Sequence, residues 1–125
     1  MATVVENPTE TDFDALLREH DVVVIDFSAT WCAPCRSYTP KFLRAAREMR
    51  RSFPDLRFTF VTVDVDTVPE VARRYGVKSV PTTVVVRERR ALFARRKGEA
   101  ERWSGDRSWP ELVRVLTQVF EAASA

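Results

Sequence analysis

The sequence predicts an α/β fold in which a central mixed sheet, parallel in its core with an antiparallel edge hairpin, is flanked by helices on both faces. Residues Val22 to Phe27 form a continuous apolar run, typical of a strand that is covered on both faces. A long helical pattern follows that run directly, and a second strand pattern, Leu56 to Val65, follows the helix. Later in the chain, Thr82 to Arg90 begins as a β-branched stretch and predicts the first strand of the hairpin.

Composition and length narrow the class of protein. The chain has 125 residues, of which 45% are apolar and 30% are charged, and these values predict one domain, residues 1–125, with its own hydrophobic core. The stretch from Met1 to Pro8 lacks the basic and apolar segments of an export signal. No apolar stretch approaches the roughly 20 residues of a membrane span. We therefore expect a cytoplasmic protein with no membrane partner.

The first two helices are predicted from their start and stop signals. One begins at Thr11, has acidic residues in its first turn and ends near His20, where a cation complements the helix C-terminus. The next runs from Pro34 to about Phe53 and is expected to kink at Pro40, because proline removes one helical hydrogen bond. Arginines line the exposed face of this helix, but the net charge is only +2 and no recognition motif accompanies them. We expect no nucleic-acid partner.

Two further helices follow. A short one runs from Val68 to Tyr75 and closes at Gly76, since glycine is the usual residue just past a helix end. An amphipathic one runs from Trp109 to Ala122, with Pro110 in its first turn, where the missing N–H costs no hydrogen bond.

Both cysteines of the chain, Cys32 and Cys35, lie three positions apart at the start of the second helix, close enough to bond. A structural disulfide here would stabilise the fold by only about 2 kcal/mol, because the loop it closes is so short. A structural zinc site needs four cysteine or histidine ligands, and beyond this pair the chain offers only His20. An unreactive buried pair is the third alternative, although Trp31 and Pro34 make the motif more specific than its spacing. The pattern favours redox chemistry.

The two cysteines are predicted to have different roles. Cys32 falls at the helix N-cap, where free N–H groups and the helix macrodipole favour a thiolate. We therefore predict that Cys32 is the solvent-exposed nucleophile. Cys35, one turn further along and more enclosed, is predicted to act second, as the resolving thiol.

Asp26 is the third candidate for a chemical role, because it lies inside the apolar run, six residues before Cys32. Desolvation is predicted to raise the pKa of its carboxyl toward the working pH, which suits a proton shuttle. The alternative is a structural acid that accepts hydrogen bonds from backbone donors at the end of a strand.

Three segments together carry a family resemblance: Val24 to Cys35, Pro40, and Val80-Pro81-Thr82. They resemble the thioredoxin family, and the resemblance extends from about Phe13 to Leu116. It implies a thioredoxin fold, a cis-proline at Pro81 that lies against the cysteine pair, and a buried acid at Asp26 that helps to deprotonate the resolving cysteine. The residues expected to frame the substrate-docking surface are Trp31, Ala33, Pro34, Val80, Pro81 and Gly105.

The resemblance also implies a function, a protein-disulfide reductase. Thiolate Cys32 attacks a substrate disulfide, Cys35 releases the reduced substrate and Asp26 manages the proton. No metal and no bound cofactor are expected, because electrons reach this family from NADPH through a flavoprotein reductase. The expected partners are disulfide-containing protein substrates and a thioredoxin reductase, and a monomer is expected. Roles in electron transport and cell redox homeostasis follow.

Several positions depart from the family pattern. Thr62 stands where many members have a lysine beneath the buried acid, and Ala33 replaces the commonest glycine of the motif. Ser104 and Asp106 flank Gly105 where many relatives are apolar. Two alternative functions stay open: a specialised relative with a dedicated partner, such as the membrane-tethered thiol reductases of cytochrome maturation, and a non-catalytic binding module on the same scaffold.

The hairpin between Pro81 and Gly105 is longer than usual for the family, with 23 residues between them. Its turn is predicted either at Lys97-Gly98-Glu99, which holds the glycine, or at Glu88-Arg89-Arg90, which divides the apolar strands more evenly. Since Pro81 and Gly105 both lie at the active-site end, the tip is expected up to about 30 Å away at roughly 3.3 Å per residue. Its basic residues are interpreted as a charged edge that discourages strand pairing, or as a basic prong for an acidic partner or second subunit.

Overall fold

The computed structural model describes residues 4–90 and 95–125. The elements in these ranges are, in chain order, β1 (Val4–Glu6), α1 (Glu10–Glu19), β2 (Val22–Ser28), α2 (Ala33–Ser52), β3 (Phe58–Asp64), α3 (Pro69–Arg74), β4 (Thr82–Arg90), β5 (Arg95–Ser104) and α4 (Trp109–Ser124). In both ranges, every helix falls short of the length or the apolar character that a bilayer-spanning segment requires.

The strands form one mixed sheet in the order β1-β3-β2-β4-β5. Strands β1, β3 and β2 run parallel, whereas β4 is antiparallel to β2 and β5 is antiparallel to β4. The predicted parallel core with an antiparallel edge hairpin is therefore confirmed. The sequence prediction lacks β1, because a strand of three residues is too short to show a periodic pattern.

Strand β2 occupies the centre of the sheet, paired with β3 along one edge and with β4 along the other. Val22 and Val24 pack beneath α2 and α4, whereas Val23 and Ile25 pack beneath α1 and α3. Because successive side chains of a strand point to opposite faces, both sets are buried, and neither face needs polar side chains. This double coverage explains the continuous apolar run in the sequence.

Aromatic rings fill the core between the sheet and the α2/α4 layer. Phe42 of α2 meets Phe60 of β3 edge-on with ring centroids 5.1 Å apart. Phe120 of α4 meets Phe58 of β3 in the same way at 4.9 Å. Such edge-to-face pairs add about 0.5–1.5 kcal/mol each beyond the burial of their surface. They fix how both helices sit on the sheet, and α2 carries the cysteines at its start.

Helix α1 begins at Glu10, and its N-cap is Thr9, whose hydroxyl accepts the Asp12 N–H at 3.1 Å. The predicted start at Thr11 is therefore wrong. Both threonines are followed by an acidic residue three positions later, so the capping pattern alone does not distinguish them. The predicted end near His20 is confirmed, since His20 is the C-cap residue. Helix α2 runs from Ala33 to Ser52 with Pro40 inside it.

Both predicted positions of the hairpin turn are wrong. Glu88 pairs with Lys97 and Arg87 pairs with Gly98, so these residues belong to the strands, and the ladder continues to Arg90 and Arg95. The residues between those two arginines lie outside the described ranges. The register shifts between Val85 and Val86, whose partners are Glu101 and Glu99, so that a β-bulge falls at Ala100. Gly98 is therefore a paired strand residue, two positions before the bulge.

We expect the outer part of the hairpin to be dispensable for folding. The pairing of β4 with β2 ends at Arg87, so the residues beyond it pair only with β5 in the described part of the chain. Replacing residues 89–96 with a two-residue Asn-Gly turn should therefore change the free energy of unfolding by less than about 1 kcal/mol. Val85→Ala, a truncation in the buried part of β4, should cost about 2 kcal/mol in the same urea titration.

Loss of the cooperative transition in the shortened variant would contradict this expectation. It would mean that the outer strands support the sheet.

Candidate active site

Cys32 and Cys35 lie where strand β2 leads into helix α2, and they form a disulfide with their Cα atoms 5.3 Å apart. Cys32 is the N-cap residue of α2, as predicted, and its Sγ accepts the backbone N–H of Cys35 at 3.2 Å. The free N–H groups of the first helical turn and the helix macrodipole favour negative charge at this sulfur. Once the disulfide is reduced, the same groups stabilise a thiolate at Cys32.

The two cysteines are almost equally enclosed, since Cys32 is 4% exposed and Cys35 is 3% exposed. The expectation that Cys32 is the solvent-exposed member is therefore wrong for this disulfide form. Cys32 is covered because its Sγ lies 3.7 Å from the carbonyl oxygen of Val80, and Val80 packs against the pair. The N-cap position, rather than exposure, distinguishes Cys32 from Cys35.

Two further loops meet the cysteine loop at this end of the sheet. The Val80–Pro81 peptide bond is cis, as the resemblance implies, and the Val80 carbonyl lies beside Cys32. Gly105 donates its N–H to the Pro81 carbonyl oxygen at 2.8 Å, and it has a φ of 88°, which glycine adopts without strain. Val80 thus contacts Cys32 directly, and Gly105 is tied to the same loop through Pro81.

Exposed apolar groups surround the cysteine pair. The side chain of Trp31 is 67% exposed, and its indole Nε1 donates to Asp66 Oδ2 at 2.9 Å, which orients the ring. Ala33 and Pro34 are also exposed. Solvent-facing apolar groups grouped in this way are typical of a protein-docking surface. Sequence reasoning misses Asp66, because 35 positions separate it from the tryptophan.

A polar connection joins the Gly105 loop to helix α2. Asp106 accepts a hydrogen bond from Ser37 Oγ at 2.9 Å and forms an ion pair with Lys41 Nζ at 2.7 Å. The hydrogen bond from Lys41 is the main reason that the pKa of Asp106 is lowered. Ser37 and Lys41 are four residues apart on α2 and therefore face the same side. The departure noted at Asp106 is thus a contact that ties the Gly105 loop to helix α2.

Asp26 lies in the middle of β2, between Thr62 on β3 and Thr83 on β4, and is fully buried. Its Oδ2 accepts from the Thr39 hydroxyl at 3.4 Å, whereas its buried Oδ1 has no hydrogen-bond partner within residues 4–90 and 95–125. Burial raises the pKa of this carboxyl to about 7, and the hydrogen bond from Thr39 lowers it in part. The predicted burial and raised pKa are confirmed, and the neighbour on β3 is the uncharged Thr62.

A buried hydrogen-bond network lies beside Asp26 on the same face of the sheet. The hydroxyl of Tyr38 lies 2.7 Å from Thr83 Oγ1 and accepts from the indole of Trp103 at 3.3 Å. Burial raises the pKa of Tyr38 to about 12, so the phenol stays neutral near pH 7. The register of strands β2, β4 and β5 places three of these residues in one row across the sheet: Asp26, Thr83 and Trp103. Sequence reasoning misses this row, because it depends on the pairing of three strands.

The outer hairpin points away from the site, as predicted. Thr82 pairs with Ser104 at the cysteine end of the sheet, and Arg90 pairs with Arg95 at the other end. These pairs are about 26 Å apart at roughly 3.3 Å per residue along β4. The role of its basic residues stays a prediction.

The zinc interpretation has no ligand set in the described part of the chain. No group of three or more histidine, cysteine, aspartate or glutamate side chains there is placed to hold a metal ion. His20 caps helix α1, and the two cysteine sulfurs are bonded to each other.

Comparison with known proteins identifies related sequences. The family model described as Thioredoxin matches residues 4–117. A Streptomyces coelicolor protein that carries the name thioredoxin 2 is 40% identical over 86 residues, which cover 69% of this chain and 60% of that protein. Thioredoxin-2 of Pyricularia oryzae is 42% identical over 77 residues, which cover 62% of this chain and 42% of that protein. The chain thus spans less than two thirds of the length of these relatives.

A solved structure is similar over almost its whole length. The crystal structure of chloroplastic thioredoxin z superposes with a TM-score of 0.70 at 25% sequence identity. The superposition covers 98% of this chain and 98% of that one. The likeness extends over the whole sheet and its helices, in agreement with the fold described above.

We expect Asp26→Asn to stabilise the fold more at pH 8 than at pH 5. The carboxyl has a pKa near 3.8 when unfolded and about 7 when folded. Between these values the folded state holds more protons, so that rising pH reduces stability until Asp26 is ionised in both states. The stabilisation by asparagine should therefore be larger at pH 8 than at pH 5 by on the order of 3 kcal/mol.

Urea unfolding of the oxidised proteins at both pH values measures this difference. Asp55→Asn, at an exposed acid in the loop after α2, is the control and should show no comparable change with pH. An effect of Asp26→Asn that is equal at the two pH values would mean that the carboxyl is not held protonated by burial.

Proposed function

The chain belongs to the thioredoxin family, and from this premise we propose that it is a thiol–disulfide oxidoreductase that reduces disulfides in other proteins. The observation that carries the proposal is the Cys32–Cys35 disulfide at the start of α2. A reversible bond at a helix N-terminus, beside an exposed apolar surface, is suited to exchange with a disulfide of another protein. The activity, substrates and partners are all parts of this proposal.

The reaction proceeds in two exchange steps. In the first, the Cys32 thiolate attacks one sulfur of the substrate disulfide, a mixed disulfide forms and the other substrate sulfur leaves as a thiolate. In the second, the Cys35 thiolate attacks the Cys32 sulfur and releases the remaining substrate sulfur. Two electrons have then passed to the substrate, and the protein holds the Cys32–Cys35 disulfide that the structure contains.

The N-cap position and the buried acid support the assignment of roles. Cys32 is the nucleophile, because the N–H of Cys35 and the helix macrodipole stabilise its thiolate. Asp26 is the group that takes the proton from Cys35, because a carboxyl with a pKa of about 7 accepts and returns protons near neutral pH. Its burial beneath helix α2 supports this role.

The substrate chain docks on the surface around the disulfide. Trp31, Ala33 and Pro34 supply apolar contact on one side of Cys32. On the other side, the residues of the docking surface are Val80, Pro81 and Gly105. The carbonyl of Val80 beside the Cys32 sulfur is placed to guide an extended substrate segment, in the manner of strand addition.

The proposal includes the electron donor, the oligomeric state and the cellular compartment of the protein. The oxidised pair is returned to the dithiol by a thioredoxin reductase that draws on NADPH, so that no cofactor is bound to this chain. The protein acts as a monomeric single domain, residues 1–125, in electron transport and redox homeostasis of the cytoplasm. The confinement of both cysteines to one motif supports a reducing compartment.

Single-cysteine variants test the proposed reaction. We expect Cys35→Ser to form a stable mixed disulfide with a reducible protein such as insulin, because nothing remains to release it. Cys32→Ser, the matched control, should capture almost none, because the remaining thiol lacks the N-cap position. Either change should lower turnover of insulin with NADPH and a thioredoxin reductase by more than about a hundredfold.

Equal capture by both variants would show that the roles of the two cysteines are not those proposed. A wild-type protein that is reduced by dithiothreitol but does not reduce insulin would favour the non-catalytic binding module.

A further inference from the structure

Thr39 lies between the resolving cysteine and the buried acid. It follows Cys35 by four positions on α2, so the two side chains are neighbours on one face of the helix. Its hydroxyl donates to Asp26 Oδ2 at 3.4 Å. The side chain is half-buried, whereas that of Asp26 is fully buried. Thr39 thus contacts the buried acid directly and lies one helical turn from the resolving cysteine.

An open cleft of about 350 Å³ lies beside this hydroxyl, and both Cys35 and Thr39 line it. A cleft of this size has room for several water molecules, since each occupies about 30 Å³ in the liquid. Asp26 is not among the residues that line it. Thr39 lines the cleft and hydrogen-bonds to Asp26, so its hydroxyl is placed to connect the carboxyl with the cleft.

We propose that Thr39 is a proton-relay residue that connects Asp26 with Cys35 and with the water of the cleft. The proposal deepens the disulfide reduction proposed above and rests on it. A hydroxyl is suited to this task because it carries one proton to donate and two lone pairs that accept. The Thr39 hydroxyl holds Oδ2 of the carboxylate in a fixed direction while its lone pairs stay available to cleft water.

The proton transfer balances at each step. The Cys35 thiol gives its proton to Thr39 Oγ1 through a cleft water, and Thr39 passes its own hydroxyl proton to Oδ2 of Asp26. The products are a Cys35 thiolate, which attacks the Cys32 sulfur, and a protonated Asp26. The carboxyl later returns its proton to Thr39 Oγ1, and the hydroxyl proton of Thr39 leaves to cleft water. Thr39 is unchanged at the end.

Other ionisable groups near the carboxyl are few in the described part of the chain. From α2, Tyr38 interacts with Asp26, but its pKa of about 12 keeps it neutral near pH 7. Arg36 and Asp64 also line the cleft. A control is needed to separate an effect of charge in the cleft from an effect of the Thr39 hydroxyl. Asp64→Asn provides it, because it removes a carboxylate from the cleft and leaves the hydroxyl in place.

The test compares Thr39→Val and Thr39→Ala, which remove the hydroxyl, with Thr39→Ser, which keeps it. The first readout is the titration of the Asp26 carboxyl by carbon-13 NMR. Loss of a hydrogen bond to the ionised form should raise the midpoint by about 0.5 to 1 pH unit in the Val and Ala variants. The Ser variant should stay close to the wild-type midpoint. This readout does not depend on activity.

The second readout is the rate of each exchange step, measured from pH 6 to pH 9 with a small disulfide. Release of the mixed disulfide should slow by about tenfold to a hundredfold near pH 7 in the Val and Ala variants. The Ser variant should stay near the wild-type rate. The initial attack by Cys32 should keep its wild-type rate in all three. Thr117→Val, at a half-buried threonine of α4, is the control for loss of a hydroxyl elsewhere.

Wild-type release rates in folded Val and Ala variants would overturn the inference and leave Thr39 as a packing residue. A slowing that Asp64→Asn reproduces would also overturn it, because charge in the cleft would then explain the effect. Failure of the proposed function has a different signature, since the wild-type protein itself would then not exchange disulfides.

Discussion

The burial of strand β2 is the constraint on which the rest of this structure depends. The strand is paired along both edges and covered by a helix layer on each face. Its direction is therefore fixed, and the loop after it delivers Cys32 to the start of α2. The same burial removes water from Asp26. One packing arrangement thus positions the disulfide and raises the pKa of the carboxyl beneath the helix that carries it.

The register of the β4–β5 hairpin completes the site. Thr82 pairs with Ser104, so the residues just before and just after the hairpin, Pro81 and Gly105, must lie side by side. Their backbone hydrogen bond closes this end of the ladder beside Cys32. The bulge at Ala100 lies further along the strands, so the pairing nearest the cysteines stays regular. The hairpin can therefore extend outward without changing the geometry at the disulfide.

Local patterns in the sequence predict the parts of this structure that depend on neighbouring residues. The apolar run of β2, the N-cap position of Cys32 and the desolvation of Asp26 are all of this kind. The predicted hairpin turn at Gly98 was wrong because glycine is typical of turns, whereas Gly98 lies in strand β5, two positions before a bulge. Contacts such as Thr39 with Asp26 depend on how helix α2 is rotated over the sheet, which no local pattern specifies.

The interactions that Asp26 makes in its buried position set the pKa of its carboxyl and therefore its use in proton exchange. An opposite charge near a carboxyl lowers its pKa, and the uncharged Thr62 beside Asp26 has no such effect. Without any hydrogen bond the pKa would rise further, and the carboxyl would then be protonated most of the time and could seldom accept a proton. In Asp26 burial raises the pKa to about 7, and the long hydrogen bond from Thr39 limits the rise. The incomplete satisfaction of this buried group therefore matches the demands of proton exchange near neutral pH.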